Sequence, residues 1–206
     1  TFMNRGLLHY GDTPEVWHIN GWTYPLQTQS ENRPFFTSIM ECWGWATWHD
    51  RWQKLCLDPD AFLDRWTPEQ IDRFNIGGGY DSWRDLRRNQ QGTMRTWAVF
   101  WYASMFAQGG LCLSPPISLV RNIGIDGSGS NSGSSDIYHD TQLLRVLPDS
   151  WPERLAADDA AFDQIKALLL SRRPSVIRRA LSSVKWQFKR WRVRNRRGRG
   201  TETTRL

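Results

Sequence analysis

Thirteen of the chain's 27 Lys and Arg residues crowd into its last 35 positions, and that division limits where a folded body can be. Residues 172–206 carry 13 basic side chains against one acidic, a net of +12, while residues 1–171 carry 14 against 20, a net of −6. A block of like charge repels itself and buries little, so the core has to come from the first 171 residues. The formal charge of +6 therefore belongs to the tail. A body of this length is expected to hold one substantial core.

Tryptophan is the next constraint. The chain has 13 of them, each a large stacking face with a single N–H donor, and such a surplus serves either a core or a sugar site. Cys42, Cys56 and Cys112 are odd in number and lack C-x-x-C spacing, and no histidine pair beside them completes a tetrahedral zinc site. That usage fits a reduced, cytosolic compartment. No stretch approaches the roughly 18 uncharged residues that a bilayer crossing needs, and the N-terminus lacks a signal peptide's basic-then-apolar layout. Starting on Thr1 inside a helical pattern, the chain reads as a fragment.

Along the body, TFMNRGLLHY at 1–10 sets Phe2, Met3, Leu7 and Tyr10 near one helical stripe, ended by Gly11-Asp12-Thr13-Pro14. VWHINGW at 16–22 alternates Val16, His18 and Asn20 with Trp17, Ile19 and Gly21, which reads as a buried strand of a mixed sheet. The polar run 27–34 is a loop. In CWGWATWHDRW at 42–52 the spacing of Trp45, Trp48 and Trp52 predicts one helix face turned to the core, with Trp43 and Gly44 at its entrance. Further helices are expected over 64–74, 82–91 and 95–108, the first stopped by Gly77-Gly78-Gly79 and the last, carrying Trp97, Trp101, Met105 and Phe106 inward, closed by Gly109-Gly110. LCLSPPISL at 111–119 gives short extended pieces, 122–136 is a Gly/Ser-rich loop, and a short helix over 157–170 follows Pro148 and Pro152.

Three segments then combine: HINGW with CWGWATWHDRW; FNIGGG with GTMRTWAVFWYASMFAQGG; and LCLSPPISLVRNIGIDGSGSNSG. Their order and wording resemble the C-terminal, acceptor-side half of bacterial family 2-like glycosyltransferases, which are similar in fold to N-acetylglucosaminyltransferase I. The resemblance covers residues 1 to about 135. It implies an α/β architecture: a partial GT-A fold with a mixed sheet and flanking helices over 1–147, a linker and short helix over 148–171, and the basic segment over 172–206. In that family an acidic strand end lies just upstream of the helix seen here at 1–10 and holds a divalent metal, Mg or Mn, against the sugar diphosphate. The resemblance thus places the metal ligands ahead of Thr1, and the chain by itself is expected to be inactive. A fragment lacking those strands is expected to leave a sheet edge and apolar helix faces uncovered.

The same resemblance implies transfer of a sugar from a nucleotide donor to a saccharide or lipid-linked acceptor, in surface polysaccharide or glycolipid assembly. The family pattern Gly-x-x-Asp-Ser-Trp corresponds to Gly92-Thr93-Met94-Arg95-Thr96-Trp97, so Arg95 occupies the place of the expected base. A guanidinium stays protonated and cannot take a proton. Three accounts stay open: another carboxylate, Asp81, Asp85 or Asp126, acts as base; the reaction proceeds with retention; or catalysis has been lost. The candidate substrate-binding residues are Trp22, Trp43, Gly44 and Trp97, with Asn122, Asp126, Gly127 and Ser128 of the NIGIDGSG loop. That loop's alternative is a flexible surface segment. A noncatalytic carbohydrate-binding or scaffold module is the alternative for the whole chain.

Over 176–193, Ile177, Leu181, Val184, Phe188 and Trp191 recur at helical spacing among Arg178, Arg179, Lys185, Lys189, Arg190 and Arg192. This basic amphipathic pattern favours an anionic membrane surface over packing on the body or a nucleic-acid arm. It points to a peripheral location at the cytoplasmic face of the plasma membrane. His9, His18, His49 and His139 are scattered and carry no metal assignment.

Overall fold

The computed structural model describes residues 1–27, 33–123 and 142–172. They form a mixed α/β body in which a small three-stranded sheet is flanked by helices. In chain order the elements are α1 (Phe2–His9), β1 (Val16–Ile19), β2 (Phe35–Thr37), α2 (His49–Trp52), α3 (Asp60–Leu63), α4 (Pro68–Phe74), α5 (Ser82–Gln90), α6 (Ala98–Ala107), β3 (Leu111–Ser114) and α7 (Asp159–Ser171). The sheet order is β1-β3-β2, with β1 parallel and β2 antiparallel to the central β3.

Local chemistry accounts for most element ends. Thr1 caps α1, its hydroxyl accepting from the Asn4 amide. Thr67 and Gln70 form a reciprocal capping box at α4, with Pro68 in the first turn where its missing N–H costs nothing. The helix expected over 64–74 therefore begins only at Pro68, residues 64–67 being non-helical between α3 and α4. The α6 helix begins at Ala98 rather than 95. Its face is buried almost throughout, which suits its nearly uncharged sequence.

The sheet departs from the alternation that its sequence suggests. A register irregularity between Val16 and His18 turns Trp17 and His18 toward the helical side, where both meet Trp101. Val16 and Ile19, three residues apart, both pack with Phe2, Tyr10, Phe36, Leu111 and Leu113 on the other side. A bulge of this kind re-aims side chains that strict period-two pleating would separate.

The 42–52 segment is mostly extended. Helix occupies only His49–Trp52, and Trp48 at its N-cap has extended backbone. Ala46 exchanges hydrogen bonds of 2.8 and 3.0 Å with Ile19, so this segment lies along the outer edge of β1. Trp48 diverges as a result, while Trp45 and Trp52 stay in ring contact at 5.6 Å. Trp45 stacks on His18, Trp48 donates its indole N–H to Leu7 O at 3.0 Å, and Trp52 packs against Trp101. Their shared role is packing, by a geometry other than one helix face.

Both sheet edges meet the chain's own segments, since Phe36 O on β2 also accepts from the Asp158 amide at 2.8 Å. Residues 148–171 are part of this body: Trp151 packs on Phe2, and Ile165 and Leu169 of α7 are buried with Trp22, Tyr24, Ile39 and Ile76. A third cluster gathers Phe62, Trp66, Phe74, Trp83, Tyr102 and Phe106 among α3 to α6. The basic pattern at 176–193 lies outside the described residues.

Candidate functional site at the strand tips

Ligands in open α/β sheets bind beyond the carboxyl ends of parallel strands, where helix and loop cover is interrupted. In this chain those ends are Ile19 of β1 and Ser114 of β3. Asn20, next after β1 and fully buried, donates to Ser114 Oγ at 2.9 Å and to Ile39 O at 3.2 Å, and its Oδ1 accepts from the Glu41 amide at 2.9 Å. His18, two residues earlier and equally buried, lies 3.0 Å from Glu41 O through Nε2. Trp101 Nε1–H donates to His18 Nδ1 at 3.1 Å, which places the ring proton on Nε2 and makes that nitrogen the donor to Glu41 O. The backbone of Glu41 is therefore held at both polar ends by side chains from one strand.

Electrostatics follow from the burial. Desolvation lowers His18 to a pKa of about 4, so it stays neutral at physiological pH. Desolvation pushes the Glu41 carboxyl up to about 7, opposed only by a hydrogen bond from Tyr24. No described cation offsets that burial. Cys42 beside it is raised by burial and then by the Glu41 charge. A carboxyl near neutrality can either accept or give a proton.

The same tips carry the aromatic signature. Trp43 is half-buried and meets Trp22 edge-on at 5.1 Å. Gly44 is exposed with φ +57°, a conformation that L side chains rarely adopt, and a Cβ there would lie 2.7 Å from Val120 Cγ1. A Cβ on Gly21 would run into the Gly44 carbonyl oxygen, so the two glycines let the 20–23 and 43–45 segments touch. Ser38 Oγ, in the loop leading to Glu41, is buried and has no hydrogen-bond partner among the described residues.

The expected residues fall into two groups. Trp22, Trp43 and Gly44 lie at the tips, though Trp22 is only 1% exposed and offers no ring face to a ligand. Trp97 is 41% exposed and joins this group through ring contacts, 5.3 Å to Trp45, which in turn stacks 5.1 Å from His18. Asn122 is half-buried near the end of the described stretch, and Asp126, Gly127 and Ser128 lie outside the described residues. Asp81 and Asp85 form the second group on α5. Asp81 is committed as its N-cap, accepting from the Arg84 amide at 3.1 Å. Asp85 is buried, takes the Tyr80 hydroxyl at 2.7 Å and faces Arg88 at 4.0 Å. Arg95 is exposed.

Sequence reasoning missed Glu41, Tyr24, His18 and Asn20. The available signal was two polar side chains, His18 and Asn20, inside an otherwise apolar strand, and an acidic residue directly ahead of CWGWATW. Among the described residues no group of three or more metal-ligating side chains converges. No described helix is long and apolar enough to cross a membrane. Comparison with protein-family models, curated proteins and solved structures finds no match to this chain.

Proposed function

We propose that this chain is the acceptor-side half of a GT-A-type glycosyltransferase. The whole enzyme moves a sugar from a nucleotide donor onto a saccharide or lipid-linked acceptor in surface polysaccharide or glycolipid assembly. The observation that carries the reading is the convergence, at the carboxyl ends of the parallel β1/β3 pair, of the CWGWATW segment with a carboxyl raised toward neutrality. The half-buried Trp43, the exposed Gly44 and the partly exposed Trp97 supply apolar ring surface and close backbone approach of the kind that sugar rings use.

In this reading the donor diphosphate is held with a divalent metal, Mg or Mn, which would neutralise the leaving nucleotide. The 172–206 segment holds the enzyme at the anionic cytoplasmic face of the membrane.

The test is nucleotide release by the full reading frame, offered UDP-, GDP- and dTDP-sugars with saccharide and polyprenyl-linked acceptors. Acceptor-dependent release is expected. Glycan binding without release from any donor would instead establish the noncatalytic carbohydrate-binding reading, which the exposed Arg95 at the expected base position favours. Deleting residues 172–206 is expected to abolish cosedimentation with phosphatidylserine-containing vesicles; equal binding with and without them sinks the membrane assignment.

A further inference from the structure

Arg95 stands in the place of the expected base, and of the carboxylates named as its replacement, Asp81, Asp85 and Asp126, none lies in the loop ahead of CWGWATW. We propose that Glu41 is the proton acceptor of the transfer and that His18 and Asn20 are the positioning residues that hold it at the strand tips. This rests on the glycosyl-transfer reading. In the step, the acceptor hydroxyl oxygen forms its bond to the anomeric carbon and its proton passes to a Glu41 carboxylate oxygen. The bond from that carbon to the nucleoside diphosphate breaks, and its electron pair leaves on the diphosphate oxygen.

The first support is the way the residue is held. Burying an imidazole and an amide is costly unless their polar atoms are paired, and here one polar atom of each is spent on the Glu41 backbone. Asn20 takes the Glu41 N–H, His18 gives to the Glu41 C=O, and Trp101 fixes the His18 tautomer. Trp45 stacks on the same imidazole at an interplanar angle of 14°, which restrains the ring further. A catalytic group must be held within a fraction of an ångström, and a two-point clamp on its backbone from a buried strand does that.

The second support is that both described candidates are committed elsewhere, Asp126 lying outside the described residues. Asp81 is used in capping α5, and Asp85 is enclosed by Tyr80 and Arg88. Glu41, a half-buried residue whose carboxyl is desolvated, is bound to no described cation and lies two and three residues before the Trp43–Gly44 surface.

The third is that Glu41 titrates alone. Facing its carboxyl are Tyr24, Cys42, Tyr102 of α6 and Cys112 of β3. Burial raises Cys42, Tyr102 and Cys112 further from neutrality, and His18 is already neutral above pH 4. Cys42, Tyr102, Cys112 and His18 therefore keep their charge state near pH 7, and an acid limb there reports Glu41.

The experiment uses the full reading frame and whichever of the UDP-, GDP- or dTDP-sugars it turns over. Transfer is expected to fall below an apparent pKa near 7. Glu41→Gln is expected to cut kcat by roughly 10²- to 10⁴-fold, with donor affinity within threefold of the parent. His18→Gln is expected to lower kcat about tenfold and displace the acid limb, an outcome a merely structural histidine would not give. Near-UV circular dichroism checks folding, and should Glu41→Gln fail that check, Glu41→Asp and a ¹³C titration of the Glu41 carboxyl in the parent take its place. Transfer by Glu41→Gln within threefold of the parent, or a Glu41 carboxyl titrating below pH 5, overturns the assignment while the transfer reading stands. No release by the parent from any donor overturns both.

Discussion

Two carboxylates in this molecule each accept a tyrosine hydroxyl, and their surroundings give them opposite characters. Asp85 on α5 has Tyr80 at 2.7 Å and the Arg88 guanidinium at 4.0 Å, so its charge is compensated inside the helical half. Glu41 at the strand tips has Tyr24 but no described cation, and desolvation pushes its carboxyl up to about 7. The helical half spends its aromatic rings on packing, as in the contacts of Trp66 with Phe62, Phe74, Trp83 and Phe106. The tips spend buried polar groups on holding one backbone segment. A carboxylate is made structural or reactive by what lies beside it.

The largest effect is expected from Gly21→Ala, because the added Cβ would meet the Gly44 carbonyl, a backbone atom that cannot swing aside. A loss of about 3 kcal/mol or more in urea unfolding is expected, concentrated in hydrogen exchange of the tips. A loss below about 1 kcal/mol would mean that the two segments do not touch.

The next contrast is in pH. Glu41 is raised from 4.5 to about 7, so between those values the native state keeps a proton that the unfolded chain has lost. Its contribution is complete below pH 4.5 and is lost as pH rises through 7. His18 is lowered from 6.5 to about 4, so its contribution is complete above pH 6.5 and is lost as pH falls toward 4. Each is worth at most about 3 kcal/mol, and the two slopes oppose each other over the shared window. The parent is therefore expected to show a nearly flat contribution from this pair between pH 4.5 and 6.5. Relative to the parent, His18→Gln is expected to lose stability as pH rises through the window, and Glu41→Gln to gain it. Denaturant midpoints at several pH values check this; parallel profiles for parent and both variants would remove the electrostatic distinction between the tips and the helical half.

The smallest effect is expected at the other carboxylate. Tyr80→Phe removes one hydrogen bond to Asp85, which keeps Arg88, and should cost about 1–2 kcal/mol in thermal or chemical unfolding. Sugar transfer should change by less than twofold. A fall in transfer larger than the fall in stability explains would return Asp85 to the list of bases.

Much of the helical half was legible in sequence because its signals are local. Gly109 with φ +66° closes α6 as read, whereas the local signals of Thr67-Pro68 and the N-cap Asp81 were present but read as helix interior and as a candidate base. The α1 and α5 spans follow their periodicity to within a residue or two. The tips were less legible. The spacing of Trp45, Trp48 and Trp52 matches a helix face, yet two hydrogen bonds between Ala46 and Ile19 hold that stretch extended. Short β2 has only three residues and no alternation to read, and exists because β3 offers it a partner.

The sequence by itself determined the division between an acidic aromatic body and a basic tail, the caps and turns of the helices, and the clustering of tryptophans around one segment. These depend on composition and on contacts within a few residues. Only the tertiary structure decided that a bulge turns Trp17 and His18 to the same side, that Trp101 sets the tautomer of a histidine 83 positions away, and that Glu41 lies in their grip. Burial and hydrogen-bond partners set the character of a titratable group, and both come from residues far apart in the chain.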